Sequence, residues 1–415
     1  MQPQHEDSAT DEGEIEATFP VLGPDELGWL AKIAGLRRCS TIAPVARAWQ
    51  AAVQQARIIP PFQVVPQAVI TFDPARADAL LDLNAVAVLP DGGAITTQMN
   101  ELLHVFNPEG VKVRTLGQLN YRSERMQAAY AQVDHDFRPD EFDTPAGVCA
   151  GGGFLYVLDT CRVIKMSRPG LSPVGFFTPA DYPREAIMGI ISGNADDVPD
   201  RTHPFAGAHA LAHLNGHLFV SCAGHGWDAG RNAGISIIDV RSEQAPSLHL
   251  LEFIGRFPTG PGGAIGSGPG QWGTYPGGVA AFCGRIVVAD PGNDRLQVFS
   301  DTGHFVREVG GITGGAGGPD RLSSSDMTQQ LVVSSQDEFC VRVYNGVFHL
   351  VQQIAIVMRS RSLSRSPAAG IGVVGTGITV DGARMWVAFS DLVESEANGG
   401  REMLAGKLAL FLQAG

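Results

Sequence analysis

The chain has 415 residues, of which 51 are glycine and 26 are proline, and 44% of the residues are hydrophobic. Glycine is therefore about 12% of the chain, against roughly 7% in ordinary proteins, while the hydrophobic content is too high for a disordered chain. The formal net charge of −13 gives no basic excess, which disfavours nucleic acid as a partner. A large core divided by many tight turns is typical of an all-β protein.

The first part of the chain differs from the rest. Residues 1–20 are acidic and carry no lysine or arginine, and we expect them to be disordered. Residues 21–61 contain two amphipathic patterns, at 25–37 and 44–58, which predict a short N-terminal helical extension. The sequence contains neither an apolar run long enough for a transmembrane helix nor a secretory signal, so we expect a cytoplasmic protein that does not enter the membrane.

From residue 62 onward the sequence repeats a unit of four short strands. Segments 82–116 and 275–309 align without a gap, and each has the pattern strand, turn, strand, turn, strand, glycine turn, strand. Four further segments match parts of this unit. The third strands of the six units end near Phe106, Met166, Ile238, Phe299, Tyr344 and Phe411. Six four-stranded sheets predict a six-bladed β-propeller over residues 62–415.

The two ends of this ring are expected to be joined by one strand. Only four residues follow Phe411, so the sixth unit lacks a fourth strand of its own. A strand pattern at 62–72, FQVVPQAVITF, precedes the first unit and has no place in it. We predict that it is the outer strand of the sixth blade, since closure removes the open edges of the sheets.

Residues 266–311, GSGPGQWGTYPGGVAAFCGRIVVADPGNDRLQVFSDTGHFVREVGG, resemble a nearly complete NHL repeat. The family pattern has a GxGxGQF-type lead-in, then PxGVAV, Gly-x-hydrophobic-YVAD and xGNxRVQVF, and ends in a short strand after DG. The resemblance covers about residues 80–412 and implies a six-bladed propeller. It implies no particular function, because this scaffold carries both enzymes and binding modules.

In a propeller, the first strand of each blade lines a central channel. The alignment places one residue of each blade at an equivalent position near the channel mouth: Asn84, Ala146, His209, Gly277, Leu322 and Thr376. Our candidates for lining the channel are Asn84, His209, Thr376 and, further along the same strand as His209, His213.

Residues 205–220, FAGAHALAHLNGHLFV, resemble a blade motif of the peptidyl-hydroxyglycine amidating lyases around His209. Those propellers hold zinc with histidines from several blades, but the other blades of this chain lack the partner histidines. A divalent metal, zinc or calcium, remains a candidate cofactor on His209, His225 and Asp228, because imidazole and carboxylate ligands suit such ions. The alternative is that these are structural channel and turn residues.

Two acidic–basic pairs recur at one repeat position, Asp159 with Arg162 and Asp290 with Arg295. We interpret them as ion pairs that tie the second strand of a blade to the third; the alternative is a substrate clamp. The basic segment at 358–367, MRSRSLSRSP, is either a solvated loop or a dock for an anionic partner.

Two functions fit the sequence. A channel without repeated ligands favours a scaffold that binds a small molecule or a protein at the channel mouth. Long segments at 178–204, 223–234 and 390–406 favour a lyase or hydrolase of the amidating-lyase or gluconolactonase type, because we expect them to gather at the mouth as loops. The blade-six segment supplies Glu394 and Arg401 as acid–base candidates. The sequence does not choose between these functions.

Overall fold

A computed structural model of the chain describes most of the repeated region. The described residues are 61–63, 66, 68–71, 83–98, 102–117, 142, 145–159, 162–168, 170–177, 205, 207–223, 233–240, 252–257, 265–314, 318–325, 328–335, 340–355, 372–395 and 400–413. The expected acidic tail at 1–20 and nearly all of the expected helical extension at 21–61 lie outside them. None of the helical turns in the described ranges has the length and apolar character needed to cross a membrane.

The described strands form six antiparallel sheets of four strands each. Blade one contains β2 (Leu83–Val88), β3 (Ala94–Gln98), β4 (Leu102–Phe106) and β5 (Lys112–Gly117). Blade two contains β6 (Pro145–Gly151), β7 (Phe154–Asp159), β8 (Arg162–Ser167) and β9 (Pro173–Phe177). Blade three contains β10 (Ala208–Leu214), β11 (His217–Cys222), β12 (Gly234–Asp239) and β13 (Glu252–Phe257).

Blade four contains β14 (Val279–Phe282), β15 (Arg285–Asp290), β16 (Arg295–Phe299) and β17 (Phe305–Gly310), with a 3-10 turn at Pro291–Asn293. Blade five contains β18 (Pro319–Ser325), β19 (Gln330–Ser335), β20 (Cys340–Tyr344) and β21 (Leu350–Ala355). Blade six contains β22 (Gly372–Asp381), β23 (Arg384–Ser395), β24 (Gly400–Leu412) and the early strand β1 (Ala68–Thr71).

The first strands of the six blades form a closed ring. Strand β2 contacts β6, and the contacts continue in order through β10, β14, β18 and β22, which contacts β2 again. The prediction of an all-β, six-bladed propeller is therefore confirmed. We call the end of the channel at which these first strands begin the bulge end. We call the opposite end, at which they turn into the second strands, the turn end.

Apolar clusters between neighbouring blades hold this ring together. Within the described residues there are six clusters, and each combines side chains of two adjacent blades. Between blades six and one, Trp386 and Leu408 pack with Leu83 and Phe106, all of them 0% exposed. Burying one such side chain contributes about 1.5–3 kcal/mol, so each interface stabilises both of its blades.

Strand β1, which precedes blade one in the sequence, is the outer strand of the sixth blade. It pairs with β24 in an antiparallel ladder that runs from Ala68 opposite Leu410 to Thr71 opposite Lys407. Just before it, Phe62 bridges to Gln413 and is 2% exposed. The side chain of Gln352 in blade five makes two hydrogen bonds to the backbone of Phe62. Its amide oxygen accepts from the Phe62 N–H at 2.8 Å, and its amide nitrogen donates to the Phe62 carbonyl at 2.6 Å.

The segment 390–406, which we expected to be a loop, is a β-hairpin. Strands β23 and β24 remain paired out to Ser395 opposite Gly400, and β22 begins at Gly372 opposite Leu392. Glu394 and Arg401 face each other in this ladder. The hairpin extends blade six beyond the bulge end of the channel.

Phe62 is expected to be a main determinant of closure. Phe62→Ala should lower the free energy of unfolding by about 3–5 kcal/mol, because it removes a buried aromatic side chain where the first and last segments of the propeller meet. Val69→Ala in β1 is the matched control, since Val69 is 36% exposed, and it should cost less than about 1 kcal/mol. Urea unfolding followed by circular dichroism measures both; equal effects would contradict a special role for Phe62.

Candidate functional site: the central channel

A β-bulge recurs at the bulge end of the first strands. In five blades the register places one extra residue there, at Asn84, Ala146, His209, Asp320 and Thr376. In blade four, Gly277 lies at the corresponding distance before Val279. A bulge residue has no partner of its own on the neighbouring strand, so strand pairing does not restrict its type. These positions therefore differ in chemistry from blade to blade.

The sequence alignment was wrong about blade five, where it placed Leu322 in this set. Pro319 pairs with Ser335 and Arg321 with Ser334, so the bulge residue is Asp320. The physical reason is that the bulge adds one residue to the strand, which a comparison based on hydrophobic positions alone does not detect in a degenerate repeat. Pro319, Pro145 and Pro276 each directly precede a position of this set, and aligning the three prolines is the signal that would have found Asp320.

Two residues after each bulge position, the channel is lined by an apolar ring. We define the apolar ring as Val86, Val148, Leu211, Val279, Leu322 and Ile378, one residue from each blade. Each ring residue is at most 8% exposed. Cavities on both sides are lined by all six, about 40 Å³ at the bulge end and about 370 Å³ at the turn end. The ring therefore lies between two separate compartments.

At the bulge end, four polar side chains form what we call the bulge-end cluster: His209, Tyr275, Asp320 and Arg321. Arg321 Nε lies 3.3 Å from Asp320 Oδ2, and the two side chains are 19% and 5% exposed. Arg321 Nη1 also donates to the His209 carbonyl at 3.4 Å, and the Tyr275 ring stands edge-on to the imidazole at 5.9 Å. The cluster brings together residues of blades three, four and five.

The hydrogen bonds of His209 indicate its tautomer. Nδ1 lies 3.0 Å from the carbonyl of Gly207 and donates to it, which leaves Nε2 of a neutral ring as an acceptor 3.4 Å from the Ser221 hydroxyl. Burial lowers the pKa of His209, and the positive charge of Arg321 lowers it further. The backbone of Gly207, the Asp320 carboxylate and the backbone of Gly277 act in the opposite direction without reversing the shift.

Tyr275 is held in its protonated form. Burial raises the pKa of its hydroxyl, and the nearby Asp320 carboxylate raises it further, while Arg321 has the opposite effect. With a neutral imidazole and a protonated phenol, the cluster has both acid and base groups at neutral pH. The sequence analysis identified only His209 among these four residues.

The larger compartment, which we call the turn-end chamber, lies on the other side of the apolar ring. Small side chains directly after the ring positions make room for it: Ala87, Cys149, Ala212, Ala280, Ser323 and Thr379. A small residue in all six blades at this position is the sequence signal that could have revealed the chamber. The polar residues Arg168 and His213 also line it.

His213, one of the predicted channel residues, lines this chamber against blade two. Its ring stacks on Tyr156 with 5.8 Å between centroids and 7° between planes. A β-carbon at Gly151 would come within 2.2 Å of the imidazole, so the close approach requires glycine there. Burial lowers the pKa of His213, and the nearby His217 and Lys165 lower it further. His209 and His213 thus lie on opposite sides of the ring.

The other predicted residues have the following places. Asn84 is half-buried at the bulge end, where its amide donates to the Pro145 carbonyl at 3.4 Å. Thr376 occupies a bulge position in the backbone of blade six. His225 and Asp228 lie outside the described residues, as do segments 178–204 and 358–367 and most of 223–234.

The predicted ion pairs lie in the sheets and away from the channel cavities. Arg162 Nη2 and Asp159 Oδ2 are 2.9 Å apart at facing positions of β7 and β8. Arg295 Nε and Asp290 Oδ2 are 2.8 Å apart at facing positions of β15 and β16. Arg295 also donates to three backbone carbonyls, those of Ser267, Gly268 and Gln271. These contacts join strands and the lead-in segment of blade four, which is a structural role.

Among the described residues, no group of three histidine, cysteine, aspartate or glutamate side chains is arranged to hold a metal ion. In the bulge-end cluster only His209 and Asp320 are of ligand type. The metal site on His209, His225 and Asp228 therefore stays a prediction.

The lowered pKa values of His209 and His213 predict a pH dependence of stability. An unfolded histidine has a pKa of about 6.5, so below that pH the unfolded chain takes up protons that the folded chain does not, and the free energy of unfolding falls. His209→Gln should reduce this slope by about 0.7 kcal/mol per pH unit at pH 6.5, and by up to about 1.4 kcal/mol per pH unit at lower pH, where the unfolded histidine is fully protonated and the folded one is still neutral. Urea unfolding across this range measures it.

Asn84→Ala is the control for that measurement, because it changes the same bulge position in another blade without removing a titrating group. Its slope should match that of the native chain. A slope in His209→Gln that is as steep as the native one would contradict the assignment of a lowered pKa to His209.

Comparison with solved structures finds lyases with low sequence identity to this chain. Virginiamycin B lyase from Staphylococcus aureus has 10% identity and a TM-score of 0.43, over 84% of this chain and 99% of that one. A streptogramin B lyase has 12% identity and a TM-score of 0.42, over 83% and 97% of the two chains. The catalytically inactive virginiamycin B lyase with quinupristin has 10% identity and a TM-score of 0.42, over 85% and 100%. No family model and no curated protein matches the chain.

Proposed function

We propose that this chain is an NHL-like cytoplasmic propeller that acts as a binding scaffold and holds a small molecule in its central channel. The observation that supports this is the turn-end chamber, whose volume of about 370 Å³ lies at the lower end of the roughly 300–1,000 Å³ of small-molecule sites. The chamber is built from the first strands of all six blades, so the ring itself provides it. A small molecule fits this geometry better than a protein partner at the mouth.

Aliphatic residues are the majority of the lining, but most of the surface that the lining exposes to the chamber is polar. The polar side chains Arg168, Cys149 and His213 lie together on the wall of blades two and three. On the opposite side, the hydroxyls of Ser323 and Ser325 accept from the backbone N–H groups of Val380 and Gly382 and so connect blades five and six. The hydroxyls on the wall of blades five and six are thus used in hydrogen bonds between blades. The side chains on the wall of blades two and three would orient a ligand.

Filling the chamber tests the binding function. Ala281→Phe and Ala150→Phe each place a ring in the chamber from a different blade, and both should abolish binding of fragments that the native chain binds. Ligand-observed NMR with a library of small neutral and charged fragments measures this. Val111→Phe is the matched control, because Val111 is 58% exposed on an outer turn, and it should leave binding unchanged.

Folding of the filled variants is checked by circular dichroism, since overpacking costs about 1–3 kcal/mol. Fragments that bind a folded Ala281→Phe or Ala150→Phe chain as tightly as the native chain would contradict the proposal.

A second candidate function is a lyase or hydrolase reaction at the bulge end, with a metal near His209. The observation that favours it is the bulge-end cluster, where a neutral His209 imidazole lies beside a protonated Tyr275 and the Asp320–Arg321 pair. His209 would be the general base or a metal ligand, and Tyr275 the acid. This reaction would use the compartment separated from the chamber by the apolar ring.

Metal analysis tests this second function. If His209 is a ligand, the purified chain carries about one zinc or calcium ion per molecule, and His209→Ala loses it together with part of the thermal stability. His213→Ala is the control, because His213 lies on the other side of the apolar ring, and it should retain the ion. Chelation that neither removes an ion nor lowers the melting temperature would contradict the metal-dependent reaction.

A further inference from the structure

We infer that the turn-end chamber binds a neutral cyclic polyol, of the size of a monosaccharide or an inositol, between His213 and Thr379. This inference rests on the proposed binding function and adds the chemical class of the ligand. Such a molecule is a single saturated ring with hydroxyl groups around its rim. It therefore combines hydrogen-bonding groups at its edge with C–H groups on its faces.

His213 and Thr379 stand on opposite sides of the chamber. Both residues line it, His213 from β10 of blade three and Thr379 from β22 of blade six. The first strands follow one another around the channel, so blades three and six are three steps apart in either direction. A ligand that contacts both side chains must therefore carry hydrogen-bonding groups on opposite edges.

The hydroxyl of Thr379 has no hydrogen-bond partner among the residues that the structure describes. The residue is nevertheless 7% exposed. Ser323 and Ser325 on the same wall differ from it, because their hydroxyls accept from backbone N–H groups. A buried hydroxyl without a partner costs free energy, and a ligand group that bonds to it removes this cost.

The imidazole of His213 can also bond to a ligand. Its ring is held by stacking on Tyr156, and neither of its nitrogens bonds to another described residue. Burial, with a further effect of His217 and Lys165, lowers the pKa of His213, so the ring is neutral at pH 7. A neutral imidazole donates from one nitrogen and accepts at the other. A hydroxyl can take either role, so a polyol matches both nitrogens.

The surface of the chamber favours hydroxyls in several directions. Most of the surface that the lining exposes is polar, and the lining includes the uncharged residues Cys149, Ser323 and Ser324 in addition to Thr379. The hydroxyls of a saturated ring point in several directions, whereas a planar heterocycle has polar groups in one plane. The apolar ring at one end of the chamber suits a C–H face. Arg168 has interactions within the protein, and this recognition does not require its charge.

The size of the chamber suits one ring. Its volume of about 370 Å³ corresponds to about twelve water molecules at the roughly 30 Å³ that each occupies in the liquid. A single hydroxylated ring fits this space and leaves room for water that bridges it to the walls.

The test compares D-glucose, D-galactose, D-mannose and myo-inositol with cyclohexanol by ligand-observed NMR on the full chain. Cyclohexanol has a ring of the same size and a single hydroxyl. The native chain should bind at least one of the polyols about tenfold more tightly than cyclohexanol, because the polyol makes several hydrogen bonds.

Two variants remove one polar group each. Thr379→Val replaces the hydroxyl with a methyl group of similar size and should weaken binding of that polyol about three- to tenfold. His213→Phe keeps an aromatic ring beside Tyr156 without the nitrogens, and its effect should be of similar size. Thr302→Val is the matched control, because Thr302 is exposed on a turn of blade four, and it should leave binding unchanged.

The outcomes separate the two proposals. Polyols that bind no more tightly than cyclohexanol overturn the polyol class, and so does a polyol affinity that a folded Thr379→Val or His213→Phe chain leaves unchanged. If other fragments bind in a way that Ala281→Phe abolishes, the binding function holds while the polyol class fails. If neither polyols nor other fragments bind the native chain, both proposals fail.

Discussion

Apolar contact between neighbouring blades is the interaction on which the rest of this structure depends. No blade buries its two faces alone, since each of the six described clusters needs side chains from two adjacent blades. A four-stranded sheet at the end of an open row would leave one apolar face in water. Closure of the ring is therefore a condition for the stability of every blade, and the cluster around Trp386 and Phe106 is as necessary as the ladder between β1 and β24.

Closure also dictates what the channel is made of. In six equivalent strands side by side, residues at the same position form a layer around the channel. The layers differ in how strongly the fold restricts the residue types that they can contain. The apolar ring is aliphatic in every blade because its side chains are packed between neighbours, at most 8% exposed. The bulge layer has no such restriction, and there His209 and Asp320 stand beside Ala146 and Gly277. Residues that distinguish one blade from another are found where strand pairing is relaxed, which is the physical reason to look there for function.

The sequence was sufficient to predict the six four-stranded units, because strand alternation and glycine turns repeat in the local sequence. It was also enough to see that the sixth unit needed an outer strand, which β1 supplies. It did not reveal the bulge-end cluster, since Tyr275 and Arg321 meet His209 only across three blades. It did not reveal the chamber either, for a related reason. Arg168 follows the third strand of its blade, whereas the predicted channel positions lie on first strands. The cavity itself arises only where small side chains from all six blades come together.

The apolar ring makes the two ends of the channel electrostatically distinct. At the bulge end, the charges of Asp320 and Arg321 lie 3.3 Å apart and largely compensate each other, so that end offers a nearly neutral set of donors and acceptors. At the turn end, the lining includes Arg168, which also has interactions within the protein, and the imidazole of His213. The six aliphatic side chains between the two compartments offer a charged group no hydrogen-bond partner. The chemistry of each end is therefore determined by the polar residues of that end, although the same six strands build both.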